Sequence, residues 1–224
     1  MQGKGSPIKK NPIKEIEKLY QPIEKDIVSR LREFKRVRDK GSEKDIFAEL
    51  IFCLLTPQSK AKSCDLAVRT ILEKELLLKG SKTQIAKELR GSVRFHNTKA
   101  ENIVDARKLF TQKGKLQIKK RIAEFDNPID TREWLVANIK GMGYKEASHF
   151  LRNIGFGEEL AILDRHILKN MKLQGVIKEV PSSLSKKRYL EIEGKMKNYA
   201  ERIKIPMAHL DLLLWYKETG EIFK

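Results

Sequence analysis

Cysteine is nearly missing from this 224-residue chain, which has only Cys53 and Cys64. No Cys-x-x-Cys pair and no Cys/His cluster occurs, which removes the usual zinc and iron–sulfur frameworks. No metal and no cofactor is expected. Free cysteine commonly packs as a small hydrophobe, so both thiols are expected to be buried. Long apolar runs are missing too. None approaches the roughly 18 residues that a bilayer span requires, and 34% of the chain is charged, which argues against a membrane protein. The opening MQGKGSPIKKNPIK is basic but lacks the apolar centre of a secretory signal. An intracellular protein, cytoplasmic or nucleoid-associated, is the expectation. Asn-Gly and Asp-Gly hairpin signals between alternating segments are absent, as are internal repeats, low-complexity tracts and long linkers. Acidic residues are in short supply: 30 Asp+Glu face 47 Lys+Arg, a formal charge of +17. A field of that sign favours a polyanionic partner, most often nucleic acid, although charge alone gives only non-specific affinity.

The residues that are present read as helices. Ile16, Leu19, Ile23, Ile27, Leu31 and Phe34 recur at helical spacing, with Pro22 as an expected break or restart. Ser42 and Asp45 have the form of an N-cap with an acidic third position. SKAKSCDLAVRTILEK and NTKAENIVDARKLF are amphipathic, and DTREWLVANI has Asp130 as its expected cap. YKEASHFLRNI ends at Gly155, the expected glycine just past a helix end. The last helix, from PMAHLDLLLWYKETG, is expected to start at Pro206 and stop at Gly220. The chain is thus all-α, about ten short helices. Residues 1–12 read as a mobile basic tail.

The stretch IKGMGYKEASHFLRNIG, residues 139–155, joins two helices through Gly141 and Gly143. Glycine permits positive φ and close approach, and N–H groups beside a helix N-terminus can hold a phosphate. Lys145 lies in the first turn of the second helix, and His149, four residues on, shares its face. Downstream, AILDRHIL places Asp164 at an expected N-cap. Taken alone, Lys145 is a surface lysine, Asp164 a cap and the GMG turn a plain helical hairpin.

Together, IKGMGYKEA and AILDRHIL resemble the helix-hairpin-helix DNA glycosylases. The resemblance implies that Lys145 is the attacking amine, Asp164 the catalytic carboxylate and His166 a DNA-backbone contact. LLTPQSKA, residues 54–61, is similar to the segment that carries the inserted side chain in these enzymes, which here is Gln58. The iron–sulfur branches fit poorly, because no cysteine follows Cys64. The nearest resemblance is to the archaeal-type 8-oxoguanine DNA glycosylase/AP lyases, through GYKEASHFLRN, DRHIL and the C-terminal LDLLLWYKETG. It covers roughly residues 15–224. It implies that Trp215 stacks on the extruded base, that Asp211 contacts it, and that Lys224 lies near its edge. The layout it implies has residues 13–45 plus 170–224 as one helical subdomain and residues 46–169 as the other, with the active site in the cleft between them.

The chemistry implied is bifunctional. A base is rotated out of the duplex. A carboxylate stabilises the positive charge that develops on the sugar. A neutral amine, favoured by burial at a helix N-terminus, attacks C1′ to give a Schiff base and β-elimination. Asp211, Trp215 and Glu218 fall on one helical face, where an indole and a carboxylate suit a purine. The expected partner is double-stranded DNA containing oxidised guanine, met by a monomer. Two alternatives remain at this point: a glycosylase of the same fold for another damaged base, and a non-enzymatic DNA-binding module.

Overall fold

The computed structural model describes residues 12–224. The expected mobile tail lies outside them except for Pro12, which opens the first helix. In order, the elements are α1 (Pro12–Lys40), α2 (Glu43–Leu55), α3 (Ala61–Glu73), α4 (Leu76–Lys79), α5 (Lys82–Leu89), α6 (His96–Phe110), β1 (Thr111–Gln112), β2 (Lys115–Leu116), α7 (Ile118–Ile122), α8 (Pro128–Asn138), α9 (Tyr144–Asn153), α10 (Arg165–Leu173), α11 (Lys186–Ile203) and α12 (Met207–Thr219). The fold is all-α, with a single two-residue antiparallel hairpin among the described residues. That hairpin turns through Lys113 and Gly114, both at positive φ (49° and 73°). This is the backbone of a mirror-image turn, built here without an asparagine or aspartate. No described helix is long and apolar enough to cross a membrane.

Several helix boundaries follow from local chemistry. Ser42 caps α2 in a reciprocal box with Asp45. Gly155, at φ 65°, ends α9. Its N–H donates to the Arg152 carbonyl and that of Phe156 to Leu151, which satisfies carbonyls that the helix end would leave unpaired. The α9 end also rests on the α1 backbone, since a Cβ at Gly155 would stand 2.5 Å from Lys35 Cα.

Three boundaries differ from expectation. α1 runs unbroken through Pro22 for 29 residues. Pro22 and Lys18 are both exposed, so the Lys18 carbonyl that loses its N–H partner faces water. α8 is capped by Asn127, with Pro128 in the first position, and Asp130 sits in the first turn, where its N–H donates to Asn127 Oδ1 at 2.9 Å. Pro206 is the residue before α12, whose first helical residue is Met207.

Two hydrophobic cores organise the chain. The first runs from Ile46 to Leu160. The second joins Ile16, Ile23, Ile27 and Phe34 of α1 to residues between Ala161 and Leu214. Core membership therefore changes between Leu160 and Ala161, ahead of residue 169, which lies inside α10. The two cysteines are buried in the first core, and burial pushes the Cys64 thiol up to about 11.

Buried charge stitches the cores together. Arg132, 1% exposed on α8, holds Glu193 of α11 in a two-pronged pair at 2.6 and 2.8 Å. Glu193 Oε2 also accepts from the Ala161 N–H at 2.8 Å, and Tyr189 Oη donates to the Ala161 carbonyl at 2.6 Å. The segment leading to Asp164 is fixed at the seam between the cores by these bonds.

Candidate active site

A cleft of about 1020 Å³ opens between the two cores. Its walls include Thr56, Gln58, Lys145, His149, Arg152, Asp164, His166, Asp211, Trp215 and Lys224. Eight residues singled out in the sequence thus share one cavity, although they come from the α2–α3 connection, α9, the start of α10, α12 and the C-terminal segment.

Lys145 occupies the first turn of α9 and is partly buried. Its Nζ donates to Thr56 Oγ1 at 3.0 Å and lies 3.5 Å from Glu146 Oε1. Thr56 Oγ1 donates in turn to the Cys53 carbonyl at 2.8 Å. Asp164 caps α10, and both cap bonds fall on the same oxygen: Oδ1 accepts from the N–H of His166 and of Ile167, each at 2.8 Å. Oδ2 takes no part in capping and is left for another role.

His149 shares the face of Lys145 but makes no hydrogen bond to it. Its ring meets Phe52 edge-on at 5.5 Å, and the backbone of Lys224 lies against it. Burial drives its pKa well below the usual histidine value, and the Arg152 and Lys145 cations add to this. The imidazole is therefore neutral at pH 7.

Asp211 is 6% exposed. Burial raises its carboxyl to about 6, helped by nearby Asp164 and opposed by Arg152 and Lys145. The Arg152 guanidinium is 3.7 Å away, too far for a full hydrogen bond, so desolvation outweighs pairing. Trp215, one turn on, packs edge-on against the His166 ring at 5.2 Å and 88°. Glu218 is turned toward α10 instead: it pairs with Lys169 at 2.7 Å, accepts from Asn170 at 2.9 Å and lies 3.7 Å from His166 Nδ1. The expected stripe of Asp211, Trp215 and Glu218 splits accordingly. The first two line the cavity, and the third steadies His166.

Lys224 is held by ion pairs to Glu49 at 2.8 Å and Asp65 at 3.0 Å, with its ammonium 4.9 Å from the Phe52 ring centre. Burial works against its charge, but the two carboxylates outweigh this and raise its pKa.

Gly141 and Gly143 lie outside the cavity lining, at the hairpin turn. Only Gly141 uses the left-handed region (φ 78°), and a Cβ there would collide with the Asn102 amide. Gly143 is at φ −95°. Its N–H donates to Glu146 Oε2 at 3.2 Å, and that of Met142 to the Ile139 carbonyl. The N–H groups of the first turn of α9, which have no intrahelical acceptor, remain available to an anion.

Four residues that shape this site carry no local sequence signal of their role. Thr56 holds Lys145, Arg152 faces Asp211, Glu193 anchors the Asp164 approach, and Lys99 braces the Gln58 segment from behind. Each becomes informative only through a partner remote in sequence.

The sequence signature of 8-oxoguanine DNA glycosylase matches residues 27–205. The 8-oxoguanine DNA glycosylase/AP lyase of Fusobacterium nucleatum is 49% identical over 97% of this chain and 100% of its own length. Among solved structures, the 8-oxoguanine DNA glycosylase of Thermotoga maritima superposes with a TM-score of 0.84 at 39% identity, covering 95% of this chain and 98% of that one. The Methanocaldococcus jannaschii 8-oxoguanine glycosylase/lyase, solved with a 15mer DNA containing 8-oxoguanine, superposes with a TM-score of 0.85 at 37% identity, covering 95% and 99%.

Proposed function

The chain belongs to the 8-oxoguanine DNA glycosylase family, and from that premise we propose that it excises 8-oxoguanine from duplex DNA and then cuts the abasic strand through a Schiff base. The observation that carries this reading is the convergence of Lys145 and Asp164 on one cleft that also presents Trp215 and Asp211.

The steps follow from the groups. The damaged base rotates into the cleft, and Gln58, exposed at its rim, enters the vacated stack. Trp215 supplies a stacking surface. Asp211, as a carboxylate above about pH 6, accepts from purine N–H groups. Asp164 Oδ2 stabilises positive charge on the deoxyribose as the N-glycosidic bond breaks. The neutral amine of Lys145 forms a bond to C1′, and the base leaves with the bond's electron pair and acquires a proton. Opening of the sugar ring gives the iminium. Loss of a C2′ proton then expels the 3′ phosphate, which cleaves the strand. The first-turn N–H groups of α9 and His166 are assigned to the DNA backbone. Thr56 orients the Lys145 amine.

Borohydride reduction during turnover of an 8-oxoguanine duplex tests the assignment. A covalent protein–DNA adduct that disappears in Lys145→Gln supports it. An undiminished adduct in Lys145→Gln refutes the choice of nucleophile, and equal excision of thymine glycol or uracil refutes the choice of base.

A further inference from the structure

Lys99 is a buried lysine on α6, 5% exposed, remote in sequence from every site residue. Its ammonium has three N–H donors, and each has an acceptor on one short segment: the Leu55 carbonyl at 2.7 Å, the Pro57 carbonyl at 2.8 Å and Ser59 Oγ at 3.0 Å. Burying a cation is costly, and a full set of short charge-assisted bonds is what offsets that cost. The Leu55 and Pro57 carbonyls and the Ser59 hydroxyl therefore converge on the ammonium.

Residues 56–59 of the same segment line the cleft. Thr56 meets Lys145. Gln58 is exposed, with φ at 54°. The Ser59 N–H closes onto the Thr56 carbonyl at 3.0 Å, so residues 56–59 form a β-turn with proline second and a left-handed residue third. That is the type II pattern, in which glycine is the favoured third residue. A glutamine there is strained, and such strain persists only where the surroundings impose it. Lys99 is the group that imposes it. A further clamp is the Arg94 N–H, which donates to Ser59 Oγ at 3.0 Å.

We propose that Lys99 is a positioning residue which, by gathering the 55–59 segment around its ammonium, sets both the duplex-entering side chain Gln58 and the Lys145 partner Thr56. The Gln58 half rests on the reading that Gln58 enters the stack; the Thr56 half does not. One loop then links insertion into the duplex to the orientation of the nucleophile. Loosening it degrades both together.

The test uses the full chain as wild type, Gln58→Ala, Lys99→Met and the double variant, with circular-dichroism melts to confirm folding. Single-turnover excision is measured on 8-oxoguanine duplexes with each of the four opposite bases. Borohydride trapping of Lys145 is measured on a single-stranded abasic oligonucleotide. Lys99→Met is expected to lose duplex excision about 10- to 100-fold, the scale of a misplaced reacting group. It is also expected to flatten opposite-base discrimination and slow trapping. The double variant should be no slower on duplex than Lys99→Met alone, because the two side chains act as one unit. Ser59→Ala removes one acceptor and no charge. It should give the same pattern more weakly, and it carries the test if Lys99→Met does not fold.

A folded Lys99→Met with wild-type discrimination and trapping overturns the proposal. So do duplex losses that simply multiply with those of Gln58→Ala. A silent Gln58→Ala overturns the insertion reading instead. Trapping then decides Lys99 on its own: slowed, it remains a positioning residue; unchanged, it does not.

Discussion

Lys145 Nζ and Thr56 Oγ1 stand 3.0 Å apart, and the Thr56 hydroxyl proton is committed to the Cys53 carbonyl. The threonine oxygen is thus aimed as an acceptor at the amine. Thr56→Val keeps the shape and removes the acceptor. Trapping of the abasic-site adduct should slow by up to roughly tenfold, the scale of one lost hydrogen bond that orients the amine. Duplex binding, measured by fluorescence anisotropy, should stay near wild type.

Asp164 divides its work between its two oxygens, with Oδ1 capping α10. Asparagine caps about as well as aspartate but carries no charge. Asp164→Asn should melt within a few degrees of wild type while excision falls roughly 100-fold or more, the scale of a lost electrostatic stabiliser. Asp164→Ala should lose excision and also about 1 kcal/mol of stability. A single-turnover assay beside a thermal melt separates the two effects.

Asp211 gives a pH signature. Its carboxyl is raised from 3.8 to about 6 in the folded protein, so between these values the folded state holds a proton that the unfolded chain releases. Stability from this group is complete below pH 3.8 and is lost as pH rises toward about 6. Urea melts should show the stability of Asp211→Asn rising relative to wild type across that interval and holding steady above it. Excision by wild type should gain with ionisation near pH 6, and this limb should be missing from the Asp211→Asn pH profile.

Glu193 binds Arg132 in two places and the Ala161 N–H besides. Removing it leaves a guanidinium buried without its partner. Glu193→Ala should cost about 3–5 kcal/mol in denaturant melts. Hydrogen exchange should rise at the amides of residues 161–163, the approach to Asp164.

The candidate site was legible in sequence where its chemistry is local. Lys145 follows a glycine turn, and Asp164 sits where a helix must begin, so both are marked by neighbours a few residues away. The all-helical class was legible from spacing alone. Other features were not. Pro22 reads as a break because the sequence does not reveal that the carbonyl it strands faces solvent. The β1–β2 turn escapes because Lys113 adopts a conformation usually left to asparagine or glycine. Asn127 wins the α8 cap because Pro128 fits the first helical position. Lys99, Arg132 and Arg152 look like three more cations in a basic chain. Their burial is set by acceptors or carboxylates that only the fold brings near.

The second core is assembled from the two ends of the chain, with α1 packed on α12 and the first core spliced between them. α1 meets α2 and α9 as well as α12, and its contacts with α12 join residues far apart in sequence. The apolar stripe of α1 is covered by residues from Ala161 onward, through α10, α11 and α12. That second core holds the wall bearing Asp164, Asp211 and Trp215 opposite Lys145. A chain that ended before α12 would therefore carry Lys145 and Asp164 without Asp211 and the Trp215 indole, which α12 supplies.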